Sequence, residues 1–476
     1  MSSLSATLLG ASSALQAFQY ALNVSQNNVD NASTADYASQ TVDLQAAPFD
    51  PAVGLSGGVT QGPLVDSRDL FAESDVWQQA EAQGDASAQA SALTAVQNAI
   101  PVSDGGGIPA ALNTFFSDIS AWSASPASGS AQQSVIVAAG ALAQSFQTTT
   151  AAVASASTSV TQNIDNTVGQ VNQLTSQIAG LNAEINDGGS KDEGLQAQLY
   201  SSLETLSGLV NIGVLQQPDG SINVTLSSGA ALVMGSQSYA LTAVNAVPAA
   251  TAPDPQAPPD IDVQAADGSI VTSQITSGSL AGLLQVRNVT IPGLIGDSSQ
   301  TGALNLLATQ IAGDVNGIVS QGSVSPGTPP SGLGLFTTPN PANPSAAASS
   351  MAVNPSMTAS LLPPVDQNGV ANGVPLAIGA LANSAPADLG STGYTTFYGN
   401  AAALVGSQLS QAQSNQTITA ATLAQAQSMR QTASGVSLDA QAINVLQFQA
   451  GYEAVAKMVT TLQTLTQALI DMIPDS

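Results

Sequence analysis

The first charged side chain in this sequence is Asp30, yet the residues before it are already strongly patterned. Leu4, Leu8, Ala11, Leu15, Phe18, Leu22, Ser25 and Val29 alternate steps of four and three, the spacing of a heptad helix with one apolar seam. A coiled coil that faces water normally carries Glu and Lys beside its seam. Here those positions hold Ser, Thr, Gln, Asn and Ala, which close neighbours bury at little desolvation cost once their hydrogen bonds are met. A single helix of this length is marginal in water by itself. The pattern therefore predicts a helix over residues 1–29 that is stable only when other helices cover it. "NNVDNAS" then supplies its stop, because Asn tolerates the left-handed backbone found past helix ends.

The opposite end carries a matching pattern. Val445, Phe448, Tyr452, Val455, Val459, Leu462, Thr466, Leu469 and Ile473 again alternate threes and fours. Ser437 is placed to cap a helix opening at Leu438, and Asp439 suits its positive start. The two seams predict that the ends of the chain pair as a coiled coil. Leu4, Leu8, Leu15, Phe18, Leu22 and Val29 are the packing residues expected on one side. Val445, Phe448, Tyr452, Val455, Val459, Leu462 and Leu469 are those expected on the other.

A third seam runs through Val160, Ile164, Thr167, Val171, Leu174, Ile178, Leu181 and Ile185, with Gly188 available as its left-handed cap. Leu195, Leu199, Leu203 and Leu206 predict a further helix, as do the Ala/Gln/Ser-rich stretches near 64–100, 130–155 and 400–432. "QTVDLQA" predicts a short strand, followed by a loop from Pro48 to Gly62. In the middle, Ile222, Val224 and Leu226 alternate with polar residues after a Pro218-Asp219-Gly220 turn, and "IDVQAADGSIVT" repeats the strand–turn–strand form. Residues 280–320 return to helical spacing. The expected fold is mainly α with a β insertion, the ends paired as a coiled coil around a helical trunk and a β-rich middle domain. The expected domains are 1–60 with 405–476 (terminal helices), 61–211 with 280–404 (trunk) and 212–279 (β-rich insertion).

Composition removes most functional classes. Only 8% of residues are charged, with 5 Lys and Arg against 31 Asp and Glu and a net charge of -26. Nucleic acids and anionic membranes both require a basic footprint, so neither is expected as a partner. Histidine and cysteine are absent, which removes His-based triads, thiolate metal sites and disulfides. No catalytic, cofactor or metal residues are expected. Asp104, Asp118, Asp187, Asp192, Glu193, Asp219, Asp260 and Asp262 are scattered, as solvated surface acids are. "NDGGSKDE" misses the calcium-loop spacing and reads as a helix end. Trp77 and Trp122 are read as packing residues. No apolar run is long enough to span a membrane, and the N-terminus lacks the basic and apolar regions of a cleaved signal, which predicts a cytoplasmic protein or one exported without such a signal.

"ALNVSQNNVDNASTADYASQ", from Ala21 to Gln40, resembles the N-terminal signature of flagellar axial proteins, with Asn23, Asn27, Asn28, Asn31, Thr34 and Tyr37 on motif positions. "SGVSLDAQAINVLQFQAGYEAVAKMVTTLQTLTQALIDMI" is similar to that family's closing helix, and "GVSLD" with "FQAGYEA" points within it to the hook-associated protein 1 family. "INDGGSKDEGLQAQLYSSLETLSGLVNIGVLQQPDGSINV" and "SGSLAGLLQVRN" support that choice. The resemblance implies a non-enzymatic structural protein of the extracellular bacterial flagellum, secreted by the type III export apparatus, at the hook–filament junction. Its implied partners are further copies of itself in a ring, the hook protein, the adjacent hook-associated protein and an export chaperone. A hook or distal rod component is the nearest alternative; a glycan-binding surface protein or carboxylate enzyme is more distant. One departure stands out. Ala35-Asp36 occupies the place of the family's usual Pro-Gly, which implies a looser turn before Tyr37.

Overall fold

The computed structural model describes residues 2–50, 55–102, 106–189, 192–227, 229–249, 252–337, 340 and 343–471. Ile473 and Asp104 lie outside them, and so do the side chains of Leu4 and Leu469. The architecture is mainly helical with antiparallel strands in two places.

Helix α1 (Ser2–Asp30) is followed by a ribbon in which β1 (Gln40–Ala46) pairs antiparallel with β4 (Val59–Asp66), with a register shift between Val42 and Leu44. At its tip β2 (Phe49–Asp50) pairs with β3 (Leu55–Ser56). The stretch expected as a loop from Pro48 to Gly62 therefore contains strand. Two-residue strands are too short to show alternation in sequence.

Helices α2 (Leu70–Ala99), α3 (Gly107–Ala124), α4 (Gly129–Glu184) and α5 (Glu193–Leu209) form the first half of the trunk. The third seam faces the core: Val160, Ile164, Val171, Ile178, Leu181 and Ile185 are all buried. A π-helical turn with Gly188 at φ 115° ends that run. The chain then forms a four-stranded antiparallel sheet, β5 (Ile212–Gln216), β6 (Ile222–Leu226), β7 (Ala231–Met234) and β8 (Gln237–Ser238), in sequential order. A separate pair, β9 (Thr242–Asn245) and β10 (Ile261–Gln264), follows. Asn182 in α4 ties the sheet to the trunk by donating to Ile222 O and Gly235 O at 2.7 Å each.

The return through the trunk uses α6 (Gly278–Gln285), α7 (Ile291–Ile295), α8 (Ala303–Val319), α9 (Ala347–Ser350) and α10 (Gly373–Leu381). Helix α11 (Tyr394–Ser434) runs unbroken through residue 405, where a domain boundary was expected, and α12 (Leu438–Asp471) closes the described chain. One continuous core of buried apolar residues, including Phe115, Trp122, Phe146 and Tyr398, extends through the trunk and into the β region.

Helix α11 lies antiparallel along α2, with Tyr398 Oη donating to Pro101 O and Arg430 reaching Glu73 near the other end. Helix α1 packs along α12, also antiparallel. Phe18 lies against Gly451, and Ser39 just beyond α1 meets Gln441 near the start of α12.

Candidate functional site

The terminal helices hold most of the residues singled out from sequence, and their side chains sort by size. The buried positions of α1 are small: Ala11, Ala14, Ala17, Ala21, Val24, Ser25 and Asn28. Both α12 and the ribbon come close to this helix, with Ser13 Oγ 3.4 Å from Val59 O on the ribbon side. Small residues permit that approach. The larger seam residues Leu15, Phe18 and Leu22 are half-buried, as are Val445, Phe448, Val455, Val459 and Leu462 on α12. Gly451 makes room for the Phe18 ring: a Cβ there would fall 2.8 Å from a ring carbon. Leu8 and Val29, expected in the seam, are exposed instead, because an interface shared with the ribbon shifts the buried stripe around α1; Tyr452 on α12, also expected there, is exposed too.

Sequence reasoning missed a second set on the outer faces. Leu9 is 71% exposed and Leu446 66%, and Ile443, Met458 and Leu465 are also more than half exposed. On α12 the steps Ile443, Gln447, Ala450, Ala454, Lys457, Thr461 and Leu465 form a second stripe in which Lys457 is the one charge, legible in the sequence once a helix with two covered faces is considered.

The signature residues build the corner between α1 and β1. Asn28 is fully buried: its Nδ2 donates to Gln40 O at 2.7 Å, and its Oδ1 accepts from Gln40 N–H at 2.9 Å and from Tyr37 Oη at 3.3 Å. One amide thus bonds both backbone groups of Gln40, whose strand partner across the ribbon is Asp66. Asn31 Nδ2 donates to Asn27 O and Oδ1, and Thr34 Oγ1 donates to Asn31 Oδ1, closing the helix end. Asn23 is exposed. Burial, with the Glu193 carboxylate nearby, pushes the Tyr37 hydroxyl up to about 12.

Where this corner meets the trunk, the chain places two of its five cations. Arg68, between β4 and α2, pairs with Glu73 at 2.8 Å and with Glu193, donates to Asp36 O at 2.9 Å, and stacks 4.0 Å over the Tyr200 ring. Arg430, near the end of α11, pairs with Asp36 and Glu204 at 2.6 Å and Glu73 at 3.2 Å. Four carboxylates surround two guanidiniums. Burial pushes Asp36, Glu73 and Glu193 above the ordinary carboxylate range, and the arginines offset that only in part. Ser434 ties the same point together: its O accepts from Ser39 N–H and Ser67 Oγ, each at 2.8 Å, and its Oγ accepts from Asp69 N–H at 3.0 Å. Asp36 sits at φ 59°, the left-handed region. The turn is therefore not looser for lacking glycine; the ion pair with Arg430 holds it.

No group of three or more metal-binding side chains occurs among the described residues, and no described helix is long and apolar enough to cross a membrane. Of the acids read above as scattered and solvated, Glu193 is instead buried in the ionic joint, because Arg68 pairs with it there, and Asp192 caps α5 through Gly194 and Leu195 N–H.

Residues 93–336, just over half the chain and spanning trunk and sheets, match the family described as "Flagellar hook-associated protein FlgK helical domain". The chain belongs to the FlgK family of flagellar hook-associated proteins. This FlgK-family chain also matches, over residues 425–472, the family described as "Flagellar basal body rod FlgEFG protein C-terminal", which covers the end of α11, with Arg430 and Ser434, and α12. It is similar to "Flagellar hook-associated protein 1" of Salmonella typhimurium, 28% identical over 289 residues, covering 58% of this chain and 51% of that protein. The protein of the same name from Bacillus subtilis is 30% identical over 219 residues, covering 44% of this chain and 43% of that one. The chain thus spans about half the length of the curated relatives it matches. A structure titled "The structure of the flagellar hook junction protein FlgK from Burkholderia pseudomallei" aligns with TM-score 0.46 and 28% identity over 55% of this chain and 46% of that chain. Family membership makes the chain a structural, hook-associated component of the bacterial flagellum.

Proposed function

We propose that this chain joins hook to filament, assembling as a ring of copies through its terminal helices after type III export. In that reading it contacts the hook protein below and the next hook-associated protein above, and is escorted by an export chaperone. We divide the molecule at the ionic joint, with α1, the ribbon and α12 on the inner side, the trunk beyond it and the β-rich part of 212–279 outermost. The observation that carries this reading is the sparsely charged apolar surface of the end helices, with Leu9, Ile443, Leu446, Met458 and Leu465 open to solvent in a single copy and only Glu453 and Lys457 charged on α12 between Ile443 and Leu465. Exposed apolar area on that scale marks a contact surface. The printed name of the curated relatives, flagellar hook-associated protein 1, supports placing that contact beside the hook.

The test compares two pairs of variants in a strain lacking the native gene. Leu446→Glu and Leu465→Glu alter the outer stripe; Leu22→Asp and Val459→Asp alter the seam between α1 and α12. Burying an unpaired carboxylate costs several kcal/mol. All four variants are expected in the culture medium, with hooks present and filaments missing by electron microscopy. Normal filaments with both outer-stripe variants would remove the proposal. Loss of hooks in the deletion strain would transfer the assignment to a hook or rod component.

A further inference from the structure

Strand β5 is an edge strand, because the sheet order begins with it. Its pairing alternates in a readable way. Gln217 N–H donates across to Ser221 O, whereas Ile212 N–H points outward to Glu81 Oε1 at 2.9 Å. Val214 and Gln216 share the outward phase, so each presents N–H and C=O away from β6, and among the described residues neither N–H has a partner. Between this edge and the first turns of α2 lies a cleft of about 480 Å³, with Leu70, Trp77, Glu81 and Tyr200 among its walls. Trp77 Nε1 and Tyr200 Oη are both buried without a hydrogen-bond partner, an uncommon cost. The open edge from Val214 to Gln216 runs about 7 Å, beyond the point where Glu81 covers Ile212. The facing stretch of α2 from Leu70 to Glu81 runs about 16 Å.

We propose that this cleft receives an extended peptide segment from a different protein, added as a further strand on β5, with apolar side chains toward Leu70 and Trp77 and a cationic one toward Glu81. A strand supplies what is missing here: acceptors for the free N–H groups of the edge and donors for its carbonyls. Charge selects the partner. Among the described residues, the cleft is lined by one carboxylate and no cation, and Glu81 accepts from Ile212 N–H and Ser277 Oγ without an ionic partner. Asp69 and Asp75 lie on the same end of α2. A second copy has little to offer, since three of the five cations, Arg68, Arg287 and Arg430, are engaged within their own chain.

The test titrates the full chain with the hexapeptide Val-Lys-Val-Lys-Val-Lys, following tryptophan emission; Trp122 is fully buried elsewhere, so the signal reports Trp77. Saturable binding is expected, with amide hydrogen exchange at Val214 and Gln216 slowed at least tenfold. Val214→Pro removes an outward N–H at an edge position where proline is tolerated, and should weaken binding at least tenfold without altering thermal unfolding. Glu81→Gln should weaken it similarly, as should replacing the peptide's lysines by glutamates. Equal binding to both variants, no saturable binding, or a response to cellotetraose in place of the peptide would each overturn the proposal.

Discussion

Asp36 adopts a backbone conformation that costs most side chains roughly 1–2 kcal/mol, and it is held there by one of the few cations in the chain. Its removal and the removal of its partner are not equivalent. Asp36→Asn keeps a residue that tolerates φ 59° and relieves an acid-rich cluster, so it should cost about 1 kcal/mol or less in urea unfolding. Arg430→Met leaves Asp36, Glu73 and Glu204 facing one another with only Arg68 near, and should cost roughly 3–5 kcal/mol, the range for orphaning a buried charge. A larger loss for Asp36→Asn than for Arg430→Met would contradict a cluster with excess acid. Asn28 makes a related point about legibility. The signature pattern marked it, but nothing in its spacing says that its amide closes the corner by bonding both backbone groups of Gln40.

The pairing of α1 with α12 is governed by where a side chain is missing. Gly451 lets the Phe18 ring lie against the helix, and a Cβ there must displace it. Gly451→Ala gains about 1 kcal/mol of helix propensity and loses a similar amount of packing, so it should be nearly neutral. Gly451→Val has no such offset. It should speed proteolysis of residues 1–30 and 438–471 at least tenfold while leaving the trunk's thermal transition within 1–2 °C (about the shift of a few tenths of a kcal/mol). Unchanged proteolysis would show that the glycine is not what seats the pair. At this scale the sequence was legible wherever one face of a helix meets the core, as along Val160, Ile164 and Val171 in α4. It was less so where a helix is covered from two sides: α1 buries alanines that carry no hydrophobic signal, while Leu8 and Val29 remain outside. The joint was not legible at all, because Arg430 and Glu73 are 357 residues apart and periodicity reports only local neighbours.

Across the whole molecule, net charge and the joint act in the same direction with pH. The folded-state carboxyl groups of Asp36, Glu73 and Glu193 lie above their ordinary values, so the native state binds more protons than the unfolded chain in the window just above the usual carboxylate range. Stability then falls as pH rises through that window and recovers as pH is lowered back through it. Protonation also relieves the self-repulsion of a chain at -26. Below the window the sign reverses, because at Asp297 burial acts upward but the hydrogen bonds from Gln300 and Ser299 together outweigh it and hold the group below its ordinary value, and that stabilisation is lost as pH falls through its folded-state pKa. Thermal unfolding at low ionic strength should therefore show the melting temperature rising as pH drops from 7 toward 5, then falling below 4. Glu73→Gln removes one of the raised carboxyls at the centre of the cluster and should flatten the rise between pH 7 and 5 without moving the acid limb. If the melting temperature of the unaltered chain instead declines steadily from pH 7, the four acids are fully compensated by the two arginines, and the joint is an ordinary set of ion pairs rather than a strained one.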